Sequence, residues 1–266
     1  MTLQQKKCIL TTFQNIGKRK RWIVKRITVV LFLVAAVALS AAPRGTLCLT
    51  FDDRFFDSWL DSDKFFKQYD ARVTFFISGK IDGQAVAAMK KLQDAGHSIG
   101  LHALNHAKFP SFAQKYGVAA YTEKQIIPQL EVCRKNNIRI RAFAYPYSQR
   151  TPESDRELFK TFDFLRTNCT DVKKHDIPLE KADGCFVKKV LKKQLFYGFP
   201  ASGNFNLQEV KNAMKRASEE DAVLVFYAHN IKRGPSKSHH VSYKQLKEIL
   251  EYAKSLGMAL CGMNEL

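Results

Sequence analysis

The chain has 266 residues, of which 45% are hydrophobic, 12% aromatic and 26% charged, with 13 glycines and 8 prolines. That composition excludes a disordered, collagen-like or repetitive chain, and the length suits one α/β domain with a sizeable core. The formal net charge is +18, but the basic residues form no aromatic-interleaved stripe and no nucleic-acid motif, so nucleic acid is not an expected partner.

Residues 1–26 hold eight lysines and arginines and no acid, which leaves +10 on the rest of the chain. An apolar run from Ile27 to Leu39 follows, then the small residues Ser40, Ala41 and Ala42. This is the order of a secretory signal, and the run falls short of the about 20 apolar residues that a spanning helix needs. Pro43 disfavours cleavage after Ala42, so an uncleaved anchor with its basic side in the cytoplasm fits as well. The expectation is a signal peptide or membrane anchor over residues 1–42 and one folded domain over 43–266. That domain would be exported: periplasmic, secreted or held at the membrane outside the cytoplasm.

Strand and helix patterns then alternate. Residues 46–51 read as a short apolar strand, 56–69 as a helix, 73–77 as a strand and 84–95 as a helix stopped by Gly96. Residues 97–101 form a third strand, 124–135 a helix, 141–145 a strand and 152–162 a helix. The pattern weakens over 163–205, where 164–166 and 186–190 are the candidate strands. A helix over 207–218, a strand over 222–227, a helix over 243–255 capped by Ser242 and a last strand over 258–261 complete the series. Repeated strand–helix units imply a parallel sheet with its helices outside, and chemistry gathers where such strands end. The six cysteines match no paired C-x-x-C zinc framework, and Cys48 reads as core.

Three strand ends carry chemistry. Asp52 and Asp53 close the first apolar strand. Two buried carboxylates there would repel, which is resolved if one ligates a metal and the other serves as a base; a helix N-cap followed by a first-turn acid is the structural alternative. His102 and His106 follow the third strand. On a helical turn that spacing turns both rings the same way, and neutral imidazoles suit zinc. One aspartate and two histidines leave a coordination position open, as in a catalytic zinc site. His229 ends the strand over 222–227, where it is placed to titrate near neutral pH and donate a proton; a solvated surface histidine is the alternative. His239 and His240 read as solvated loop residues.

Together these segments resemble the NodB-homology family of polysaccharide deacetylases, carbohydrate esterase family four. Thr50-Phe51-Asp52-Asp53 is similar to its first motif and Gly96 through His106 to its second, with the family's A-T-F-F segment at Ala71 to Ile77 between them. Phe143-Ala144-Tyr145-Pro146-Tyr147 resembles the third motif in the form found in poly-N-acetylglucosamine deacetylases, and Leu224 through His229 the last. The resemblance implies a distorted (β/α) barrel of about seven parallel strands. It also implies a divalent metal on Asp53, His102 and His106, by default zinc, with cobalt, nickel or iron accepted by the same set. Asp52 would be the general base, His229 the general acid and the Tyr147 backbone N–H an oxyanion donor. The substrate class implied is an acetylated polysaccharide or oligosaccharide, deacetylated at nitrogen; a de-O-acetylase on the same scaffold is an alternative.

Three departures stand out: Arg54 replaces the usual glycine after the paired aspartates, Ala103 the usual hydroxyl residue, and Ala144 the usual base-orienting arginine. Arg54 would narrow the cleft or meet an anionic group. The three changes would also suit a degenerate, non-catalytic carbohydrate binder. No segment matches the family's fourth motif, leaving Asp171, Asp176 and Asp183 as candidates for the acidic partner of His229.

Overall fold

Strand β1 (Thr46–Asp53) is buried along six of its eight residues, as a parallel strand covered on both faces must be. It pairs in parallel with β2 (Thr74–Ile77) on one side and with β7 (Val223–Ala228) on the other. Between these lie β3 (Ser98–Leu101), β4 (Ile140–Ala144), β5 (Phe164–Asn168) and β6 (Gln194–Pro200), in chain order. The β1–β7 pairing therefore closes a barrel of seven parallel strands, in agreement with the expected fold. Strands β8 (Asn230–Lys232) and β9 (His240–Ser242) form a separate ribbon after β7. The last strand, β10 (Ala259–Leu260), pairs with Thr46 and Leu47 of β1, below the point at which β2 joins at Thr50. The computed structural model describes residues 44–169, 177–203, 205–235 and 239–266. Residues 1–42, expected to be a signal peptide or membrane anchor, lie outside the described residues, as do Asp171 and Asp176. Among those described, no helix is long and apolar enough to cross a membrane.

The helices pack outside the barrel: α1 (Phe56–Gln68), α2 (Gly83–Asp94), α3 (Phe109–Tyr116), α4 (Ile127–Lys135), α5 (Pro152–Leu158), α6 (Leu207–Glu219) and α7 (Tyr243–Ser255). Local chemistry starts them. The Asp82 side chain accepts from the Ala85 N–H at α2. Thr151 with Ser154, and Ser242 with Gln245, form capping boxes at α5 and α7, satisfying amides that a helix start leaves unpaired. The helix expected over 124–135 is interrupted: a π-helical turn spans Thr122–Ile126 before α4 begins. Pro128 at the start of α4 has no N–H to donate back, so the i to i−4 ladder cannot run through it.

One expected strand is displaced. Residues 186–190 contribute only an isolated bridge, Val187 to Val223. The sixth barrel strand lies further on, at Gln194–Pro200, where Gly198 and Pro200 interrupt the β pattern. Gly198 is closely packed: a Cβ there would stand 3.3 Å from Arg166 Cδ and 3.4 Å from the Tyr227 ring. The barrel interior is filled by Cys48, Phe76, Ala142, Ala144, Phe164 and Phe196 among others, and a larger apolar layer lies under the helices. Where the strands begin, the interior is stoppered by the C-terminus. The Asn264 side chain donates to the Ile99 and Arg139 carbonyls at 3.1 and 3.2 Å, and the Met263 N–H donates to Thr74 Oγ1 at 2.8 Å.

Candidate metal centre and active site

At the other end, where the strands finish, β1, β3, β4, β5 and β7 bring their last residues around one cleft. Its volume is about 830 Å³, and Asp52, Asp53, His102, His106, Tyr147 and His229 all line it. The six residues expected to bind metal or take part in the reaction are therefore at one place.

Asp53 Oδ1 stands 4.0 Å from His102 Nε2 and 3.7 Å from His106 Nε2, and the two Nε2 atoms are 3.0 Å apart. Two imidazole nitrogens bound at about 2.0–2.1 Å to one ion lie roughly 3 Å from each other, so the donor set fits a divalent metal. Hydrogen bonding supports the fit. His102 Nδ1 is 2.7 Å from the Ala144 carbonyl, which can only accept, so Nδ1 carries the proton and Nε2 keeps its lone pair for a ligand. Burial, with Asp52 opposing it, pushes the His102 pKa down to about 4, which keeps the ring neutral.

The two histidines do not share a helical turn, as their spacing had suggested. They face each other across an irregular turn in which Ala103 (φ 66°) and His106 (φ 49°) are left-handed. Gln125, which is buried, ties that turn down. Its carbonyl accepts from the Leu104 N–H at 3.0 Å and its side chain from the Asn105 N–H at 2.9 Å.

Asp52 is 3% exposed and points into the barrel. Burial alone would raise its pKa, but the Arg166 guanidinium beside it outweighs burial and holds the carboxyl below its ordinary range. Arg166, on β5, bonds both carboxylate oxygens through Nη2. Sequence reasoning missed this residue. The available signal was an arginine directly after the apolar pair Phe164-Leu165 in a candidate strand, a residue type that is rarely buried without an acidic partner.

His229 follows β7, and its carbonyl is held by Trp59 Nε1 at 2.9 Å. Burial lowers its pKa, against the pull of Asp52 and Asp53. Its Nδ1 is buried and has no hydrogen-bond partner among the described residues. Asp183 does not supply one: it is exposed and paired with Arg216 at 2.7 Å. His239 and His240 are not simply solvated, since both line the cleft and the His239 ring packs edge-on against His229 with centroids 4.9 Å apart.

Tyr147 sits in a tight turn at φ 54°. The Ser148 and Gln149 amides are taken by the Tyr145 and Pro146 carbonyls, and among the described residues no carbonyl takes the Tyr147 N–H. Its ring lies on His106, with centroids 4.6 Å apart. Arg54, expected to narrow the cleft or to meet an anionic group, does not line the cleft and meets a carboxylate of the protein itself. It bonds the Ser78 and Lys80 carbonyls and pairs with Asp82 at 3.4 Å, anchoring the loop after β2.

The polysaccharide deacetylase family model matches residues 40–162. Among solved structures, the chain is similar to the chitin deacetylase of the fungal pathogen Colletotrichum lindemuthianum, at 18% identity and a TM-score of 0.55, covering 85% of this chain and 89% of that one. It is also similar to a polysaccharide deacetylase from Bacillus cereus (19% identity, 82% and 92% covered, TM-score 0.50). A family 4 carbohydrate esterase from Streptomyces lividans is a further match (17% identity, 84% and 94% covered, TM-score 0.50). No curated protein matches the chain by sequence. The structural likenesses show the shared barrel, and the segment that the polysaccharide deacetylase model matches, a little under half of the chain, carries Asp53, His102 and His106.

Proposed function

We propose that this site hydrolyses the acetyl amide of N-acetylated sugar residues in a polysaccharide. The observation that carries the reading is the Asp53–His102–His106 donor set beside a separate, buried carboxylate, Asp52, at the floor of an open cleft. Bound there, a divalent ion such as zinc would polarise the acetyl carbonyl and lower the pKa of the attacking water.

The protein's own groups do the rest. Asp52, held ionised, takes the proton of the attacking water as the new C–O bond forms. The Tyr147 N–H donates to the acetyl oxygen as negative charge grows on it; losing one such donor costs about 10²–10³ in rate. With Nδ1 of His229 buried, Nε2 is the atom that hands a proton to the sugar nitrogen as the C–N bond breaks. Acetate and a free amine leave. An amine is a poor leaving group unless protonated, so the acid matters more here than for an ester of an acidic alcohol.

The third-motif segment, Phe143 to Tyr147, makes poly-N-acetylglucosamine the first polymer to try. The basic flank and apolar run before residue 43 support a catalytic domain working outside the cytoplasm, as a secreted or membrane-anchored protein. A reporter fused to the C-terminus should be active outside the cytoplasm; activity confined to the cytoplasm contradicts that location. The function itself is tested by acetate release from a panel of acetylated polymers, with and without a chelator. Release that stops on chelation and returns with zinc supports the proposal. Oligosaccharide binding with no acetate from any substrate points instead to a binding module.

A further inference from the structure

We infer that Arg166 is the positioning residue that aims the Asp52 carboxylate, doing from β5 the work that an arginine at position 144 on β4 would do. The inference rests on the deacetylase reading above. Parallel pairing sets Ala144 of β4 directly beside Arg166 of β5, so side chains from either position enter the barrel interior at the same height. Ala144 is fully buried and adds only a methyl group there. Gly198, on the next strand, leaves the space that the Arg166 stem occupies. The guanidinium then lies between two aromatic rings, 5.4 Å from the Phe76 centroid and 4.8 Å from that of Tyr227. Such faces attract a cation and fix its plane.

Held in this way, Nη2 meets both oxygens of Asp52. Arg166 is 1% exposed and Asp52 3%, so bulk water does not compete for the carboxylate and its direction is set by the arginine. Arginine at 144 and arginine at 166 would claim the same volume. The small residue at 144 and the large one at 166 are thus two halves of one exchange between neighbouring strands, with Asp52 as the fixed point.

The test is steady-state kinetics on an acetylated glucosamine oligomer, with metal content by elemental analysis and folding by circular dichroism. The proteins are wild type, Arg166→Lys, Arg166→Ala and the double variant Ala144→Arg/Arg166→Ala. Arg166→Ala should lose about 10–100-fold in kcat, the usual cost of an outer-shell partner, with KM and bound metal unchanged. Arg166→Lys should keep more activity than Arg166→Ala, and the double variant should recover most of the loss. Wild-type kcat in Arg166→Ala, metal lost in step with activity, or a double variant no better than Arg166→Ala would each overturn the inference. If Arg166→Ala does not fold, Arg166→Lys decides: a fall in kcat at constant KM supports positioning, and wild-type kcat overturns it. If wild type itself releases no acetate, the deacetylase reading is what fails. The anchoring is then read from a stability cycle of Asp52→Asn with Arg166→Lys: coupling upholds it, and additivity overturns it.

Discussion

At the end of the barrel where strands begin, the non-glycine residues with left-handed backbone are Asp70, Asn137 and Asp221, each in the turn just after a helix. At the end where strands finish they are Asp53, Ala103, His106, Tyr147 and Ser148, with His239 in the loop beyond β8. The difference is chemical. Asn and Asp tolerate this conformation because their short side chains bond locally; alanine and tyrosine gain nothing from it and are strained. The first end is an ordinary set of turns around a neutral stopper, Met263 and Asn264. The second holds strained backbone and a buried arginine–carboxylate pair, features that persist only where the surrounding structure fixes them. The proposed reading gives the first end a structural role and places the chemistry at the second.

Substitutions should therefore separate by end. The largest effect is expected at the metal donors. His102→Ala or His106→Ala should remove most bound metal and lower turnover by at least the about 10²–10³ that one oxyanion donor is worth, while the fold survives. Elemental analysis with acetate release checks this, and metal content equal to wild type in both variants sinks the ligand assignment. At the opposite end, Asn264→Ala strips the donors from the Ile99 and Arg139 carbonyls. It should cost about 1–3 kcal/mol of stability, read by urea unfolding, with kcat unchanged. A variant that unfolds normally but turns over slowly would break the division between the two ends.

Smaller effects sharpen it. Ala103→Gly should stabilise the protein by up to about 1.5 kcal/mol. Relief of a left-handed alanine gains roughly 1–2 kcal/mol, and the added freedom of glycine in the unfolded chain takes back about 0.5–1 kcal/mol. A lower thermal midpoint would show that the turn is not strained. The acid gives the finest distinction. In its proposed role His229 acts protonated, and burial lowers its pKa, so the high-pH limb of the rate profile should lie on the acid side of an exposed histidine's titration. His229→Ala should remove that limb and hurt amides more than activated esters; a limb unchanged in His229→Ala assigns it to another group.

Six of the seven barrel strands were legible in the sequence, because parallel strands buried on both faces read as apolar runs. β6 was not, because Gly198 and Pro200 break its pattern for reasons of space that lie on other strands. The candidate donors Asp53, His102 and His106, and the proposed acid–base pair Asp52 and His229, stood out because each follows or ends an apolar run. Arg166 was hidden by distance: its partner Asp52 is 114 residues away along the chain, and only closure of the barrel joins them. The histidine spacing was read rightly as a pair but wrongly as helical, since the turn depends on Gln125, brought in from the π-helical turn before α4. Which of its two expected roles Arg54 takes was hidden, because its partners at Ser78, Lys80 and Asp82 lie on a loop whose path the sequence does not reveal.

The most direct test of the account is turnover by Asp52→Asn beside wild type, on an acetylated glucosamine oligomer and on an activated acetyl ester, with bound metal measured in the same samples. Asparagine keeps the shape of the side chain and cannot take a proton. The account predicts wild-type metal content, unchanged oligosaccharide binding and no measurable acetate from the oligomer. Acetate release at the wild-type rate with asparagine at position 52 would contradict it.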